Sequence, residues 1–340
     1  MIIGISGMNV SSDLKNGYSQ NVKFFCDFFV KYFSEEHTII SCDNDNWNKD
    51  ITNIDLIIQF TPFSKNTSEK IKKNYPKCKH VFIQYGHEYY LELEEFLPIP
   101  SGRQKNSNLP HNIDEVWICP DYESTKYYYQ SVYNASVSIA PFIWKPDNLT
   151  ISPFTQKEYG WCRSFKDIYI IEPNINLLKQ SLIPILIVNE LWKNNPHSFN
   201  RVYIISNNNY NENKNFQNKF LPKIEVLHGK YNKAYFCPRA SINDIFKLPG
   251  VLLSHQENLG LNYIYLEALY LKIQWVHNSP FFKDSGYYYE DKNIYQGVER
   301  LESALKEWKA VDNSDIINKY SPDNEDVISK YKGLIADALK

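Results

Sequence analysis

The stretch of residues 251–278 constrains the fold of this chain more than any other part of the sequence. It starts with a short apolar segment at 251–253, continues through a polar turn with one glycine at 254–260, and places apolar residues at helical spacing from Leu261 onward. That spacing predicts a helix with one buried face. A second apolar segment follows at 273–276. Strand, turn, helix and strand in this order predict a βαβ unit with two parallel strands.

Two carboxylates flank the start of the predicted helix. Glu257 stands in the turn before it, and Glu267 lies ten positions later inside it. Backbone N–H groups at a helix N-terminus attract phosphate, and open α/β sheets bind ligands at the carboxyl ends of their strands. One carboxylate can then hold a sugar and the other a ribose, with phosphates between them. An ordinary βαβ unit with a solvated Glu257 and a surface Glu267 explains the residue types equally well.

This stretch resembles a pattern of retaining glycosyltransferases of the GT-B architecture, the family-four type. Their pattern is a Glu, a Gly-containing turn and a second Glu on the following helix; nine residues separate Glu257 from Glu267 here, a longer spacing than usual. The chain is closer still to a bacterial and viral family of uncharacterised function, itself GT-B-like. The motifs that carry this resemblance are His-Gln-Glu-Asn at 255–258, Gly-Leu-Asn-Tyr at 260–263, Val-His-Asn-Ser at 276–279 and Ser-Gly-Tyr-Tyr-Tyr at 285–289.

The resemblance implies an α/β fold of GT-B architecture, with two Rossmann-like parallel-sheet domains facing a central cleft. It predicts an acceptor-side domain at residues 1–150, a nucleotide-sugar donor domain at 151–322, and a C-terminal helix at 323–340 that can pack back on the first domain. A chain of 340 residues is long enough for two domains of ordinary size. Strand and helix patterns alternate throughout, without an internal repeat.

On the donor side, the resemblance assigns the sugar to Glu257, the ribose to Glu267 and the diphosphate to the helix start and to Lys179. The residues at the helix start are Asn258, Leu259, Gly260, Leu261 and Asn262. GT-B enzymes place an Arg and a Lys in the turn before the helix predicted at 182–193; Lys179 matches the Lys, and a Glu-Pro-Asn segment stands where the Arg would be. A lone Lys is ordinarily a solvated surface charge.

A second donor-side prediction concerns the nucleobase. An apolar segment at 224–227 predicts a strand that leads to His228, Gly229 and Lys230. In GT-B enzymes the loop after this strand lines the nucleobase, so Gly229 and Lys230 are candidate donor-binding residues. A tight turn with one glycine explains them equally well.

In the first half, a predicted strand at 2–5 is followed by a loop with Gly7 and Gly17 and by a helix. No G-x-G-x-x-G fingerprint occurs, so NAD binding is not indicated. The resemblance makes Gly17 a donor-binding candidate, although a plain turn explains it as well. A later strand, at 80–85, ends in Gly86-His87-Glu88. Histidine can act as a general base near neutral pH, so His87 is the second catalytic candidate beside Glu257.

Composition excludes several classes of function. The net charge of −2 gives no global basic field for nucleic acid. The six cysteines form no C-x-x-C pair, which indicates a reduced protein without a structural metal.

The D-x-D match at residues 43–45 lies in the first half, away from the expected donor side. No segment approaches the roughly 20 apolar residues of a membrane span. We expect a cytoplasmic protein, in the host cytoplasm if the source is a virus.

Together these observations predict a glycosyltransferase that moves a sugar from a UDP- or GDP-linked donor to a glycan or other hydroxyl acceptor. By analogy with GT-B enzymes it is metal-independent and retaining, with no cofactor beyond the nucleotide-sugar co-substrate. The absent Arg and the longer Glu–Glu spacing leave two alternatives open. One is a catalytically silent GT-B-like protein that binds a glycan or nucleotide, and the other is a nucleotide-sugar epimerase. Donor base, sugar, acceptor and oligomeric state are not fixed by the sequence.

Overall fold

A computed structural model describes residues 1–7, 17–42, 53–96, 110–155, 157–158, 166–206, 210–228, 233–308 and 313–340. These residues fold into two compact units, and the described part of each unit is built on a parallel sheet of six strands. The first unit takes the described residues of Met1–Glu95 and Arg103–Lys145 together with Asn318–Lys340. The second takes those of Phe96–Gly102 and Pro146–Ile317.

The strands of both sheets are short, mostly of four to six residues. In chain order they are β1 (Ile2–Ile5), β2 (Thr38–Ser41), β3 (Leu56–Gln59), β4 (Lys79–Gln84), β5 (Glu115–Ile118), β6 (Ser136–Ile139), β7 (Asp167–Ile171), β8 (Arg201–Ile205), β9 (Ala234–Cys237), β10 (Val251–Leu253), β11 (Gln274–His277) and β12 (Tyr287–Tyr288).

Helices connect these strands on the flanks of the sheets. Within the described residues they are α1 (Gly17–Phe33), α2 (Lys65–Asn74), α3 (Glu88–Phe96), α4 (Lys126–Tyr133), α5 (Leu182–Asn194), α6 (Lys214–Lys219), α7 (Glu225–His228), α8 (Ile242–Ile245), α9 (Tyr263–Tyr270), α10 (Ile294–Lys306), α11 (Ser314–Lys319) and α12 (Glu325–Ala338). A helix with the length and apolar character needed to traverse a bilayer is not found among the described residues.

Strand order identifies where each sheet can bind a ligand. The first sheet runs β2-β1-β3-β4-β5-β6, and the second runs β12-β11-β10-β7-β8-β9. Listed from β9, the second sheet has the strand order 3-2-1-4-5-6 of a doubly wound nucleotide-binding fold. In that order the first three strands extend towards one edge of the sheet and the last three towards the other edge, so the first and fourth strands lie side by side at the switch point. Those strands are β7 and β10, which pair directly. The crevice outside their carboxyl ends is therefore the expected ligand site of this unit.

The βαβ unit predicted at 251–278 is confirmed. All three residues of β10 and all four of β11 are buried, as expected for parallel strands covered on both faces. The helix between them, α9, begins at Tyr263, two positions after Leu261. Asn262 is its N-cap, and its side-chain oxygen accepts a hydrogen bond from the N–H of Ile264 at 3.2 Å. This cap ends the turn and starts the helix.

The strand predicted at 224–227 is wrong, because this segment forms the short helix α7 and the strand of this region is β9. Ile224 and Val226 are buried, and the side chain of Asn189 accepts a hydrogen bond from the Val226 N–H at 3.3 Å. A short apolar segment does not by itself distinguish a buried strand from a buried helical turn. Gly229 and Lys230, which were predicted from that strand, lie outside the described residues.

The C-terminal helix α12 packs within the first unit. Tyr331 on this helix is fully buried, and its ring lies 5.5 Å from that of Phe25 and 5.1 Å from that of Phe28 on α1. Its hydroxyl donates to the carbonyl of Pro141 at 2.7 Å. The aromatic stripe of α1 is thus covered by the last helix of the chain.

Candidate functional site

The loops that follow β7 and β10 contact each other at the switch point of the second sheet. Lys179 and Gln256 form an isolated antiparallel bridge. One position further along, the N–H of Glu257 donates to the carbonyl of Leu178 at 3.0 Å. Backbone pairing therefore brings Lys179 and Glu257, two of the predicted donor-binding residues, into neighbouring positions.

A buried carboxyl group, that of Glu172, lies beneath these two loops. It follows β7 directly and is fully buried. One of its oxygens accepts from the hydroxyl of Ser254 at 2.6 Å, and the other accepts from the side-chain amide of Gln256 at 2.5 Å. Burial raises the pKa of Glu172 above its ordinary value, more than these hydrogen bonds and the charge of Lys179 lower it. The Glu-Pro-Asn segment that replaces the expected Arg thus begins with a structural acid.

Lys179 is placed by the same loop. Its N–H donates to the side chain of Asn176 at 3.1 Å. Burial lowers the pKa of Lys179; the charge of Glu172 raises it, and the positive charge of Arg239 lowers it further. Arg239 is exposed two residues after β9. Sequence analysis missed this second cation because it assigned the strand of this region to the segment that forms α7.

The loop after β10 is fixed by residues at the end of the adjacent strand β11. The backbone N–H of Gln256 donates to the side chain of Asn278 at 3.0 Å, and the Asn278 amide donates back to the Gln256 carbonyl at 3.0 Å. The Gln256 side chain in turn accepts from Asn262 at 3.2 Å. The residues of the family motif therefore hold the turn and the start of α9 in one arrangement.

Gly260 is required by close packing in this turn. A Cβ atom at Gly260 would lie 2.7 Å from the ring of Phe281, and the hydroxyl of Ser279 donates to the Gly260 carbonyl at 2.7 Å. Leu259 and Leu261, on either side of it, are buried. These two predicted donor-binding residues therefore use their side chains for packing, and only their backbone is left for a ligand role.

Asn258 and Asn262 shape the ends of the turn. Asn258 is exposed and has a φ of 51°, in the left-handed region that asparagine tolerates better than most residues. Asn262 contributes the helix cap and the hydrogen bond to Gln256. Their side chains thus explain the Glu-Asn and Leu-Asn parts of the motif through local structure.

Glu257 is an ionised carboxylate held at both oxygens. Oε1 lies 3.1 Å from Nε2 of His255, and Oε2 lies 2.9 Å from the ammonium of Lys292. These two partners, His255 before Lys292, lower the pKa of Glu257 to about 2 against the opposing effect of burial. The side chain is 28% exposed, so a ligand can reach it. It can accept hydrogen bonds, but it does not carry a proton at neutral pH.

Glu267 differs from Glu257 in its burial and in the direction in which its pKa is shifted. It is 6% exposed on α9, and burial raises the pKa of Glu267 to about 7. Within the described ranges its carboxylate makes no hydrogen bond. The carboxyl oxygens of Glu267 are not among the fully buried atoms that lack a partner in the described residues, so a ligand hydroxyl can reach them.

Two of the predicted site residues belong to the first unit. Gly17 is the first residue of α1. His87 precedes α3 and is 1% exposed, with its ring 4.5 Å from that of Tyr90 and 4.9 Å from that of Tyr122. Burial lowers the pKa of His87 to about 4, so this imidazole is neutral at physiological pH. The catalytic role of His87 stays a prediction.

Among the residues that the structure describes, no group of three or more His, Cys, Asp or Glu is arranged to hold a metal ion. The D-x-D match at 43–45 lies outside the described residues.

The two six-stranded parallel sheets with flanking helices define a GT-B fold, as the sequence predicted. The match to WaaG, a glycosyltransferase involved in lipopolysaccharide biosynthesis, covers 100% of both chains at 11% identity, with a TM-score of 0.53. A UDP-forming trehalose-phosphate synthase from Burkholderia xenovorans is 13% identical over 84% of this chain and 73% of its own, with a TM-score of 0.53. S. aureus TarM, solved with UDP, is 14% identical over 82% of this chain, with a TM-score of 0.52.

The chain belongs to the family described as "Protein of unknown function (DUF2827)", whose sequence model matches residues 11–335. The predicted resemblance to an uncharacterised GT-B-like family is thereby confirmed. No curated protein sequence matches the chain. The part of the chain that matches spans 55% of the TarM chain and 57% of the chain in the GtfA/B complex.

Proposed function

We propose that the protein is a glycosyltransferase that binds a nucleotide-sugar donor at the carboxyl ends of β7 and β10. The observation that carries this proposal is the pairing of the two loops there, which makes the backbone of Glu257, whose carboxylate is ionised, a neighbour of the backbone of Lys179. A nucleotide sugar presents hydroxyls and an anionic diphosphate side by side. WaaG, a solved structure with the same fold, is a glycosyltransferase, which supports this class of reaction.

The diphosphate is assigned to the cations of this edge. Lys179 and Arg239 lie close enough for the charge of one to affect the other, and an anion between them relieves that repulsion. Backbone N–H groups at the start of α9 add a partial positive charge. Charge on the leaving nucleoside diphosphate increases in the transition state, so fixed donors and cations at this position accelerate transfer.

The sugar is assigned to Glu257. Sugar hydroxyls donate hydrogen bonds, and a carboxylate only accepts them when it is ionised. The low pKa of Glu257 keeps it in that form. Its negative charge also stabilises the positive charge that develops on the sugar during transfer. Glu257 acts as a hydrogen-bond acceptor and an electrostatic group and does not act as a general acid.

The ribose of the nucleotide is assigned to Glu267, whose buried carboxyl has no hydrogen bond among the described residues. UDP is the proposed leaving group, since TarM was solved with UDP and the trehalose-phosphate synthase is UDP-forming; a GDP-linked donor is the alternative. We further propose a retaining, metal-independent reaction with a glycan or other hydroxyl acceptor, in the cytoplasm. The acceptor side is assigned to the first unit, with His87 as its candidate base.

The test is release of nucleotide from a panel of UDP-, GDP- and dTDP-linked sugars, with and without oligosaccharide acceptors. We expect acceptor-dependent release with one donor. E257Q should abolish it and leave UDP affinity nearly unchanged, whereas E267Q should weaken UDP binding by about 1–3 kcal/mol. E290Q is the matched control, because Glu290 is exposed and its carboxylate bonds Tyr288.

Two results would replace this proposal. Donor binding without turnover would support a silent GT-B-like binding protein, which the missing Arg after β7 favours. Nucleotide released from UDP-N-acetylglucosamine without any acceptor would support an epimerase. Full transfer activity in E257Q would remove Glu257 from the site.

A further inference from the structure

Four side chains of the second unit form a continuous hydrogen-bonded chain that ends on the candidate sugar ligand. The hydroxyl of Tyr289 lies 2.9 Å from Nδ1 of His255, and Nε2 of His255 lies 3.1 Å from Oε1 of Glu257. Oε2 of Glu257 lies 2.9 Å from Nζ of Lys292. No step of the proposed reaction yet uses His255, Tyr289 or Lys292.

The direction of these hydrogen bonds follows from the chemistry of the groups. An ionised Glu257 can only accept, so His255 donates through Nε2–H. When the imidazole of His255 is neutral it carries one N–H, so Nδ1 then accepts a hydrogen bond from the Tyr289 hydroxyl. The same hydroxyl also donates to the carbonyl of Ser254 over the longer distance of 3.3 Å, so its single hydrogen is shared between the two acceptors. Tyr289 thereby sets the tautomer that lets His255 donate to Glu257.

Burial makes the inner part of this chain rigid. His255 is 2% exposed and Tyr289 is fully buried, and their rings stack at 6.0 Å. The N–H of Tyr289 donates to the carbonyl of His277 at 2.9 Å. Just before it, Gly286 has a φ of 61° and packs so closely that a Cβ would lie 2.4 Å from the Trp275 ring. The Ser-Gly-Tyr-Tyr-Tyr motif thus places Tyr289 against His255.

The Lys292 end of this hydrogen-bonded series of side chains is exposed. The Lys292 side chain is 51% exposed, and it also contacts Asp291 at 3.0 Å. An exposed lysine can exchange one partner for another at little cost, whereas a buried hydrogen bond to an ionised carboxylate is costly to lose. Oε1 of Glu257 is therefore fixed by the protein, and Oε2 is the oxygen that a ligand can reach.

We propose that His255, held in one tautomer by Tyr289, is a positioning residue that orients Glu257 so that its Oε2 meets the donor sugar, with Lys292 covering that oxygen until the sugar binds. The inference rests on the proposed function for its activity readout. The geometry of the hydrogen bonds between these side chains can be tested without turnover.

The first measurement is the long-range 1H–15N spectrum of the histidine side chains in the full-length protein. We expect His255 as the Nε2–H tautomer in the wild type, with a second tautomer appearing in Y289F. Y288F is the matched control, because the neighbouring Tyr288 hydroxyl bonds the exposed Glu290 and not a histidine. An Nδ1–H tautomer of His255 in the wild type would overturn the proposal.

The second measurement is turnover of whichever of UDP-glucose, UDP-N-acetylglucosamine and GDP-mannose the wild type uses. H255F, which keeps a ring without a donor, should lower kcat roughly tenfold to a hundredfold with UDP affinity unchanged. H255Q, whose amide N–H can replace Nε2–H, should recover most of that loss. An H255F enzyme with wild-type kcat, or no recovery in H255Q while both variants stay folded, would overturn the proposal.

The two failures are separable. If the wild type turns over no donor, the proposed function fails and the tautomer spectra still decide the positioning of Glu257. If the wild type is active and the His255 variants behave like it, the positioning role alone fails.

Discussion

Burial and hydrogen bonding give Glu172, Glu257 and Glu267 different charges. Glu172 and Glu267 are buried, which raises the pKa of each carboxyl, while His255 and Lys292 lower the pKa of Glu257. Glu257 is therefore a constant negative charge, and Glu267 changes its charge near neutral pH. The residue types and their spacing make Glu257 and Glu267 candidate site residues from sequence, but their charge states depend on neighbours that sequence does not reveal.

Affinity for UDP-glucose should rise with pH because of Glu267. Burial raises the pKa of Glu267 to about 7, and ribose hydroxyls bind its ionised form more tightly than its protonated form. Binding should thus strengthen between pH 6 and pH 8 and then level off, as measured by isothermal titration calorimetry. E267Q should lose this dependence. An equal pH dependence in the variant would contradict the ribose role.

Glu172 should make folding stability depend on pH in the opposite sense. Its folded pKa is raised above the ordinary value of 4.5, so the folded state keeps a proton that the unfolded chain releases. The stabilisation is full below pH 4.5 and is lost as the pH rises towards the raised pKa, by roughly 1 kcal/mol per pH unit. Urea unfolding at pH 5 to 8 should show this loss in the wild type and a flatter profile in E172Q. Equal slopes would show that Glu172 is ionised when folded.

The elements of the site are held in place by the turn after β10, which packs against the residues that follow β11. Gln256 is bonded to Asn278 through its backbone, and Gly260 packs against the 279–281 turn. The apolar pattern predicted β10, α9 and β11 because each is long or apolar enough to be read locally. It assigned a strand to the segment that forms α7 and did not predict β9, because a short apolar segment fits a buried strand or a buried helical turn; in the folded protein the Val226 N–H bonds the side chain of Asn189, 37 residues away.

Replacing Gly260 by alanine should destabilise the protein, because the added Cβ would lie 2.7 Å from the Phe281 ring. We expect a loss of about 1–3 kcal/mol in the free energy of unfolding, and part of it should return in the double variant G260A/F281A. G333A is the control: nothing lies within 4 Å of a Cβ there, and alanine in a helix should add up to about 1 kcal/mol. Equal effects of G260A and G333A would contradict the packing argument.

At the scale of the whole molecule, the alternation of strand and helix patterns predicted an α/β protein with parallel sheets, because parallel sheets require a helix between successive strands; the GT-B architecture was predicted from the family resemblance. The same alternation of patterns did not predict which helix the last helix, α12, packs against. The sequence of α12 has one apolar face, but the contact of that face with α1 joins residues about 300 positions apart. Such a pairing depends on tertiary packing alone.

Truncation of Tyr331 should therefore destabilise the first unit. Its ring fills a fully buried position among α1 aromatics, so Y331A should cost about 3–5 kcal/mol. Hydrogen exchange followed by mass spectrometry should show faster exchange in α1 and β5, with β7 and β10 unchanged. Y127A, at a site 78% exposed, should have little effect. Unchanged exchange in α1 would contradict this packing.

The most direct test of the donor site is a crystal structure of the protein with a bound UDP-sugar. The account predicts diphosphate oxygens within hydrogen-bonding distance of Lys179 and Arg239, sugar hydroxyls on Oε2 of Glu257, and ribose hydroxyls on Glu267. A UDP-sugar bound away from the carboxyl ends of β7 and β10 would contradict it, and so would a site left empty at saturating donor concentration.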